Sequence, residues 1–311
     1  LDEAEAECQK ALKLKPDHAA AHQARGEILK KRARPADAEA AFREALRLEP
    51  GDPVAHFNFA NLLKANGKPV EAETEHRQAL RLKPDFAEAR CNLGQLLVRA
   101  GRYAEAVPEL RRGHEIGMAR KDWRYPSAQW VRNAEQLAAF DARLPAVLAG
   151  AAQPAGADEW IQFARLTQHA SREQFAAAVR FYTEAFAADP KVADNLTAAH
   201  RYNAACAAAL AGAGKGRDAA SVTEAERTRL RRQALEWLRA DLAAYTSLLD
   251  AGKPGSRTLV EKNLSLWQRD TDLTSVRDAA ALTGLAAAER ETCAKLWADV
   301  RALLVKARAA K

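Results

Sequence analysis

The chain is poor in aromatic and β-branched residues and holds a single methionine. Nine Phe, five Tyr and six Trp make up only 6% of its 311 residues. Strands favour those scarce residue types, so a β-sandwich or barrel is excluded. Cysteine is also thin. Cys8, Cys91, Cys206 and Cys293 lie far apart with no C-x-x-C, which argues against a disulfide framework or zinc site and predicts reduced thiols in a cytoplasmic protein. No apolar run approaches the roughly 20 residues that span a bilayer, and no signal-peptide pattern opens the chain, so no membrane partner is expected. Neither sign of charge dominates. The net charge of +7 is spread as 21 basic and 19 acidic groups in residues 1–120 and 27 against 22 in the rest. So diffuse an excess argues against nucleic acid as the partner. Alanine, leucine, arginine and glutamate, all strong helix formers, dominate instead. An all-α chain of about two domains is implied.

Self-comparison reveals a period of 34. Ala-Leu-x-Leu-x-Pro recurs at 11–16, 45–50 and 79–84. Helix breaks fall at each proline, and a second set falls near Arg34-Pro35, Asn66-Gly67 and Ala100-Gly101. Each period therefore holds two helices, A and B. Small residues recur at position 8 (Gly26, Ala60, Gly94), position 20 (Ala38, Ala72, Ala106) and position 27 (Ala45, Ala79, Gly113). Position 24 carries the larger Phe42, His76 and Leu110.

This pattern resembles the tetratricopeptide repeat (TPR), which implies an α-α superhelix, a solenoid of stacked helix pairs. Repeats are read at 19–52, 53–86 and 87–120, after a half repeat at 1–16, so that residues 1–120 form the solenoid. His22, His56 and Arg90 stand at position 4 where an aromatic is common, and Met118 replaces the third terminal proline. The chain opens at Leu1 in mid-repeat, from which an excerpt of a longer protein is expected.

All six tryptophans lie beyond residue 120. Residues 121–156 are read as a connecting helix, ending near Arg143-Leu144-Pro145, and a linker. Residues 157–311 are read as a degenerate TPR-like helical domain with C-terminal capping helices. Within it, Ala178, Tyr182, Ala185 and Pro190 fit helix B positions, and Tyr202–Leu210 reads as the next helix A. The glycines at 212–216 read as a flexible connector, and helices follow at 230–245, 256–268 and 286–308.

Four motifs in this half are Trp123-Arg-Tyr-Pro-Ser-Ala-Gln-Trp130, Tyr202-Asn-Ala-Ala-Cys206, Asp270-Thr-Asp-Leu273 with Val276-Arg-Asp278, and Leu296-Trp297. They resemble the helical region downstream of the kinase domain in some bacterial eukaryotic-like serine/threonine protein kinases. That resemblance implies an accessory region, since the sequence holds no Gly-rich ATP loop, strand lysine, H-R-D or D-F-G motif.

The remaining chemical signals are weak. His18 and His22 share a helix face but lack further ligands for a metal. Gly212-Ala-Gly-Lys-Gly216 lacks the strand and the Ser/Thr of a P-loop. Asp270 and Asp272 read as turn and N-cap residues. The run Arg227–Arg232 reads as a solvated helix face behind Glu224 and Glu226. No catalytic constellation, cofactor motif or metal site is implied.

The resemblance to TPRs points instead to helix A positions 2, 5, 6, 9 and 12, which line the concave groove of such arrays. Here they supply Gln23, Glu27 and Lys30, then Phe57, Asn58, Asn61 and Lys64, then Cys91, Asn92, Gln95 and Val98. Asn58 and Asn92 share position 6, and an asparagine amide both donates to and accepts from a peptide backbone. The asparagine ladder of O-GlcNAc-transferase-type TPRs is similar, though Ala24 breaks it. The carboxylate clamp of chaperone-binding TPRs is unmet, because its basic positions fall on Gln23 or Phe57, Glu88 and Asn92. The expected function is a non-enzymatic scaffold that binds a protein or peptide partner in the groove. The alternative is a regulatory or substrate-recruiting region of a serine/threonine protein kinase.

Overall fold

A computed structural model describes residues 2–309, all helix, turn and loop, with no strand among the described residues. Two compact units divide between Ala139 and Phe140.

The first unit begins with α1 (Asp2–Leu14) and continues as three helix pairs: α2 (Ala19–Lys31) with α3 (Pro35–Leu48), α4 (Pro53–Ala65) with α5 (Pro69–Leu82), and α6 (Ala87–Arg99) with α7 (Tyr103–Met118). The helices α2, α4 and α6 start at intervals of 34 residues, and so do α3, α5 and α7. Local chemistry fixes these bounds. Proline opens α3, α4 and α5, where its missing N–H costs nothing. The Asp52 carboxylate accepts from the Val54 N–H and caps α4. Each turn between partner helices closes the same way, with Arg34, Lys68 and Arg102 donating their N–H groups to the carbonyls of Leu29, Leu63 and Leu97. That closure needs a left-handed residue just before the donor. Gly67 (φ 74°) and Gly101 (φ 73°) supply it readily, while Ala33 (φ 54°) adopts it against its side chain.

Packing explains the small-residue pattern. Ala38, Ala72 and Ala106 are fully buried where helix B crosses helix A. A Cβ on Gly94 would stand 2.4 Å from Leu110 Cγ, and one on Gly26 would stand 2.8 Å from the Phe42 ring. The filler at position 24 therefore occupies the space that position 8 leaves empty. Truncating so buried a ring as Phe42 to alanine costs about 3–5 kcal/mol.

Position 4 has a structural task that the missing aromatic concealed. His22 and His56, through Nε2, and Arg90, through Nε, bond the carbonyls of Pro16, Pro50 and Pro84 at 2.8, 3.0 and 2.9 Å. His56 and Arg90 also pair with Glu75 and Glu109 on the partner helix, both at 2.6 Å. A second periodic set joins the turn of one repeat to the second helix of the repeat before it, Lys68 to Glu39 at 2.8 Å and Arg102 to Glu73 at 2.7 Å. After α7, Trp123 closes the third pair. It packs on Gly117, Ala87 and Cys91, stacks on Tyr125, and donates its indole N–H to Ser127 at 3.0 Å.

Helix α8 (Ser127–Leu148) runs beyond the end expected at Pro145, which lies in its last turn, where only one helical bond is forfeited. In the second unit α9 (Ala157–Gln168) pairs with α10 (Phe175–Ala188), followed by the short α11 (Pro190–Asp194). Helix α12 (His200–Gly212) then pairs with the long α13 (Glu224–Asp250). The turn after α12 closes as those of the first unit do, with Lys215 N–H on the Leu210 carbonyl after the left-handed Gly214 (φ 70°), and Ala164, Ala178, Tyr182 and Ala185 are fully buried in the α9–α10 pair. Helix α13 starts six residues before the expected Leu230 because Thr223 and Glu226 form a capping box. Helices α14 (Ser256–Trp267), α15 (Thr274–Arg277), α16 (Ala279–Leu282) and α17 (Ala287–Arg308) complete the unit. Trp267, fully buried, stacks on Tyr202 at 5.6 Å and meets Tyr245 edge-on at 5.8 Å.

Candidate functional site

The helix A residues divide cleanly into two faces. On α4, Ala55, His56, Phe59, Ala60, Leu62 and Leu63 are buried in the solenoid core, whereas Phe57, Asn58, Asn61 and Lys64 are half-buried along the other face. Gln23, Glu27 and Lys30 on α2 and Asn92, Gln95 and Val98 on α6 are half-buried in the same register, and Cys91 is fully buried. Cys91 is thereby a packing residue, its thiol pushed up to about 12 by burial and the neighbouring Glu88.

Within this row the structure joins some groups and leaves others apart. Asn92 Nδ2 donates to Asn61 Oδ1 at 2.7 Å, linking α6 to α4. The bond that Asn92 makes is therefore to Asn61 and not to Asn58. Asn92 reaches the residue at position 9 of the preceding repeat, and Asn58 has no side-chain partner among the described residues. Lys30 pairs with Glu27 at 3.2 Å. The Phe57 ring packs on Phe86 at 4.8 Å and on His76 at 5.7 Å. One Gln23 donor, Nε2, is buried without a partner. Such a row offers amide donors and acceptors, one aromatic ring and one lysine pair on a rigid scaffold.

Directly behind Phe57 lies an unusual group. His76 is fully buried, and neither ring nitrogen has a hydrogen-bond partner. Burial, helped by the Lys64 charge, holds its imidazole down to about 3, so it is neutral at physiological pH. Burial and Arg99 in turn hold the Lys64 amine below the usual lysine range.

The second unit holds four features that the sequence did not disclose. A cavity of about 590 Å³ opens between α10 and α13, where Gln174, Arg180, Thr183, Asp218, Arg229 and Gln233 line it. The glycine-rich loop beside it is tied down rather than loose. Arg217 N–H bonds the Glu173 carbonyl at 2.8 Å, and Asp218 accepts from the Ala177 N–H at 3.0 Å, capping α10 from outside the helix. Arg231, expected on a solvated face, is buried against the Gly212 carbonyl (2.8 Å) and Glu289 (3.0 Å). Finally, ligand atoms of Cys206, Asp270 and Asp272 lie within 4.8 Å of one another. Asp270 is engaged there by the Tyr202 hydroxyl and the Asp272 N–H, so it does serve as the cap of the turn Thr271–Leu273.

The motifs Tyr202–Cys206, Asp270–Leu273, Val276–Asp278 and Leu296-Trp297 converge in this core. The Trp297 indole donates to the Val276 carbonyl at 2.8 Å, and Arg277 donates to the carbonyls of Trp267 and Asp270. Their visible work is to hold the second unit together.

Models of the tetratricopeptide repeat family match residues 29–75 and 57–116. Residues 29–116 are tetratricopeptide repeats. Among solved structures, the chain is similar to the first TPR of Spaghetti (RPAP3) bound to the HSP90 peptide SRMEEVD, with 19% identity over 39% of this chain and 93% of that one, at a TM-score of 0.36. It is also similar to MamA, with 14% identity over 62% of this chain and 90% of that one, at a TM-score of 0.36. A third is YrrB, described as a TPR protein with an unusual peptide-binding site, with 18% identity over 76% and 91% and a TM-score of 0.33. No curated protein matches the chain in sequence. Among the described residues, no helix is long and apolar enough to cross a membrane.

Proposed function

We propose that the chain is a non-enzymatic scaffold whose TPR solenoid holds an extended segment of a partner protein along the face formed by α2, α4 and α6. The observation that carries this reading is the half-buried row itself. Asn58, with no partner of its own, lies beside the Asn92–Asn61 pair, and Gln23, Glu27, Lys30, Phe57, Lys64 and Gln95 flank them without entering the core. An extended peptide presents an N–H and a C=O at each residue, and amides at successive helices satisfy both. A surface formed before binding limits the ordering cost on the protein side. Neighbouring helices about 10 Å apart and a strand rise of about 3.3 Å per residue fit about six to eight peptide residues across three repeats.

The test presents the full chain and its Asn58→Ala/Asn92→Ala variant to an array of peptides about ten residues long, a length that covers this span. Capture by the parent chain and a loss of at least about tenfold in the variant are expected, with the melting temperature lowered by less than about 4 °C. Equal capture by both proteins refutes the assignment of the groove. The reading as a regulatory region of a serine/threonine kinase rests on the sequence motifs of the second unit, and kinase motifs in the reading frame upstream of Leu1 are its test.

A further inference from the structure

The 34-residue register allows each groove position to be compared with its counterparts. Glu27 and Lys30 on α2 correspond to Asn61 and Lys64 on α4, and to Gln95 and Val98 on α6. In the first repeat the lysine has its acid one turn away, and the pair is closed at 3.2 Å. In the second repeat the acid is gone. Asn61 replaces it and is occupied by Asn92. Lys64 thus remains half-buried with no acidic partner among the described residues, and the charge that acts on it is another cation, the exposed Arg99, which also lacks one.

Other cations of the solenoid are matched to acids in register. Glu39 holds Lys68 and Arg43, Glu73 holds Arg77 and Arg102, Glu75 holds His56, and Glu109 holds Arg90. His76, the titratable group behind Phe57, is neutral and supplies no counter-charge. A half-buried ammonium that has no counter-charge of its own is left free to take one from a binding partner.

We infer that Lys64, with Arg99, recognises an aspartate or glutamate side chain carried by the extended segment in the groove. The inference rests on the peptide-binding reading above and specifies its ligand. Groove residues continue on both sides of Lys64, from Lys30 on α2 to Gln95 and Val98 on α6, so the carboxylate belongs to a residue within the segment rather than to its chain end. The charge balance favours a single carboxylate. Lys64 and Arg99 lie in the last turns of α4 and α6, whose C-terminal ends contribute about −0.5 each, leaving a net charge of about +1. One carboxylate neutralises this, whereas a phosphate dianion overshoots it.

The experiment uses the full chain and three pools of randomised peptides about ten residues long, acetylated and amidated at their ends. The central residue is fixed as Glu, Gln or phosphoserine. The parent chain is expected to retain the Glu pool about tenfold over the Gln pool, as for a charge-assisted hydrogen bond. Lys64→Gln abolishes that preference while still retaining peptide, and Arg47→Gln, which removes a cation paired with Glu44 on α3 outside the groove, preserves it. Because Lys64→Gln breaks no ion pair, its melting temperature is expected to match the parent's, which shows that the variant is folded. Equal retention of Glu and Gln pools, a preference for phosphoserine over Glu, or a Glu preference that survives Lys64→Gln overturns the inference and leaves peptide binding standing. Failure of the parent chain to retain any pool overturns both.

Discussion

His76 is the position at which the solenoid pays most visibly for its sequence, and replacing it by leucine gives a worked prediction. The corresponding residues in the flanking repeats are Phe42 and Leu110, both fully buried. An apolar side chain of similar volume therefore has precedent at this site. With the ordinary imidazole near 6.5 and the folded value at about 3, His76 binds a proton in the unfolded chain well before it does so in the folded one. Its contribution is fully present above pH 6.5 and is lost as the pH falls toward 3. Between pH 7 and pH 5 the loss amounts to about 2 kcal/mol. At about 2–4 °C per kcal/mol, the transition of the first unit falls by about 4–8 °C over that interval on account of His76 alone. His56 and the carboxylates titrate equally in parent and variant, so the difference between the two proteins isolates the term. Thermal unfolding followed by circular dichroism at the two pH values measures it. His76→Leu is expected to equal or exceed the parent at pH 7, because two unpartnered ring nitrogens are removed, and to gain on it at pH 5. Parallel pH dependence of parent and variant refutes the reasoning.

Two further outcomes follow from the repeat register. Ala33→Gly replaces the left-handed alanine by the residue found at the equivalent turns, and is expected to stabilise the first unit by up to about 1 kcal/mol in urea unfolding, with a loss of stability contradicting it. Glu75→Gln removes the acid that, against burial, keeps His56 above its ordinary range, so the His56 midpoint followed by NMR falls. The sign follows from the raised pKa. The pair stabilises the fold below about pH 6.5 and fades as the pH rises through the folded value, so Glu75→Gln destabilises more at about pH 5.5 than at about pH 8. An unmoved midpoint excludes the pair as the cause.

Much of the first unit was legible because repeated helix crossings impose size at fixed places. Ala38, Ala72 and Ala106 leave no alternative where helix B meets helix A, and the resulting period survives in the sequence as a spacing of 34. The turns of the first unit were legible from Pro35, Gly67 and Gly101, whereas the left-handed geometry of Ala33, Glu173 and Ala199 left no mark in the sequence. The half-buried row of α2, α4 and α6 was legible as a set of positions but not as a set of bonds. Stagger between helices sets Asn92 against Asn61, 31 residues away, so a register of 34 predicts a different neighbour. Polarity misled at Arg231 and at position 4, where charged side chains are held by carbonyls and acids brought from other elements. The cavity beside Asp218 was invisible for the same reason, since its walls come from segments that only the fold assembles.

Amide hydrogen exchange of the full chain, with and without the peptide that the array captures best, tests the central claim most directly. Slowed exchange confined to α2, α4 and α6, and reversed by Asn58→Ala/Asn92→Ala, is the predicted footprint. Protection centred instead on α10 and α13, or on α3, α5 and α7, contradicts a groove formed by the first helices of the repeats.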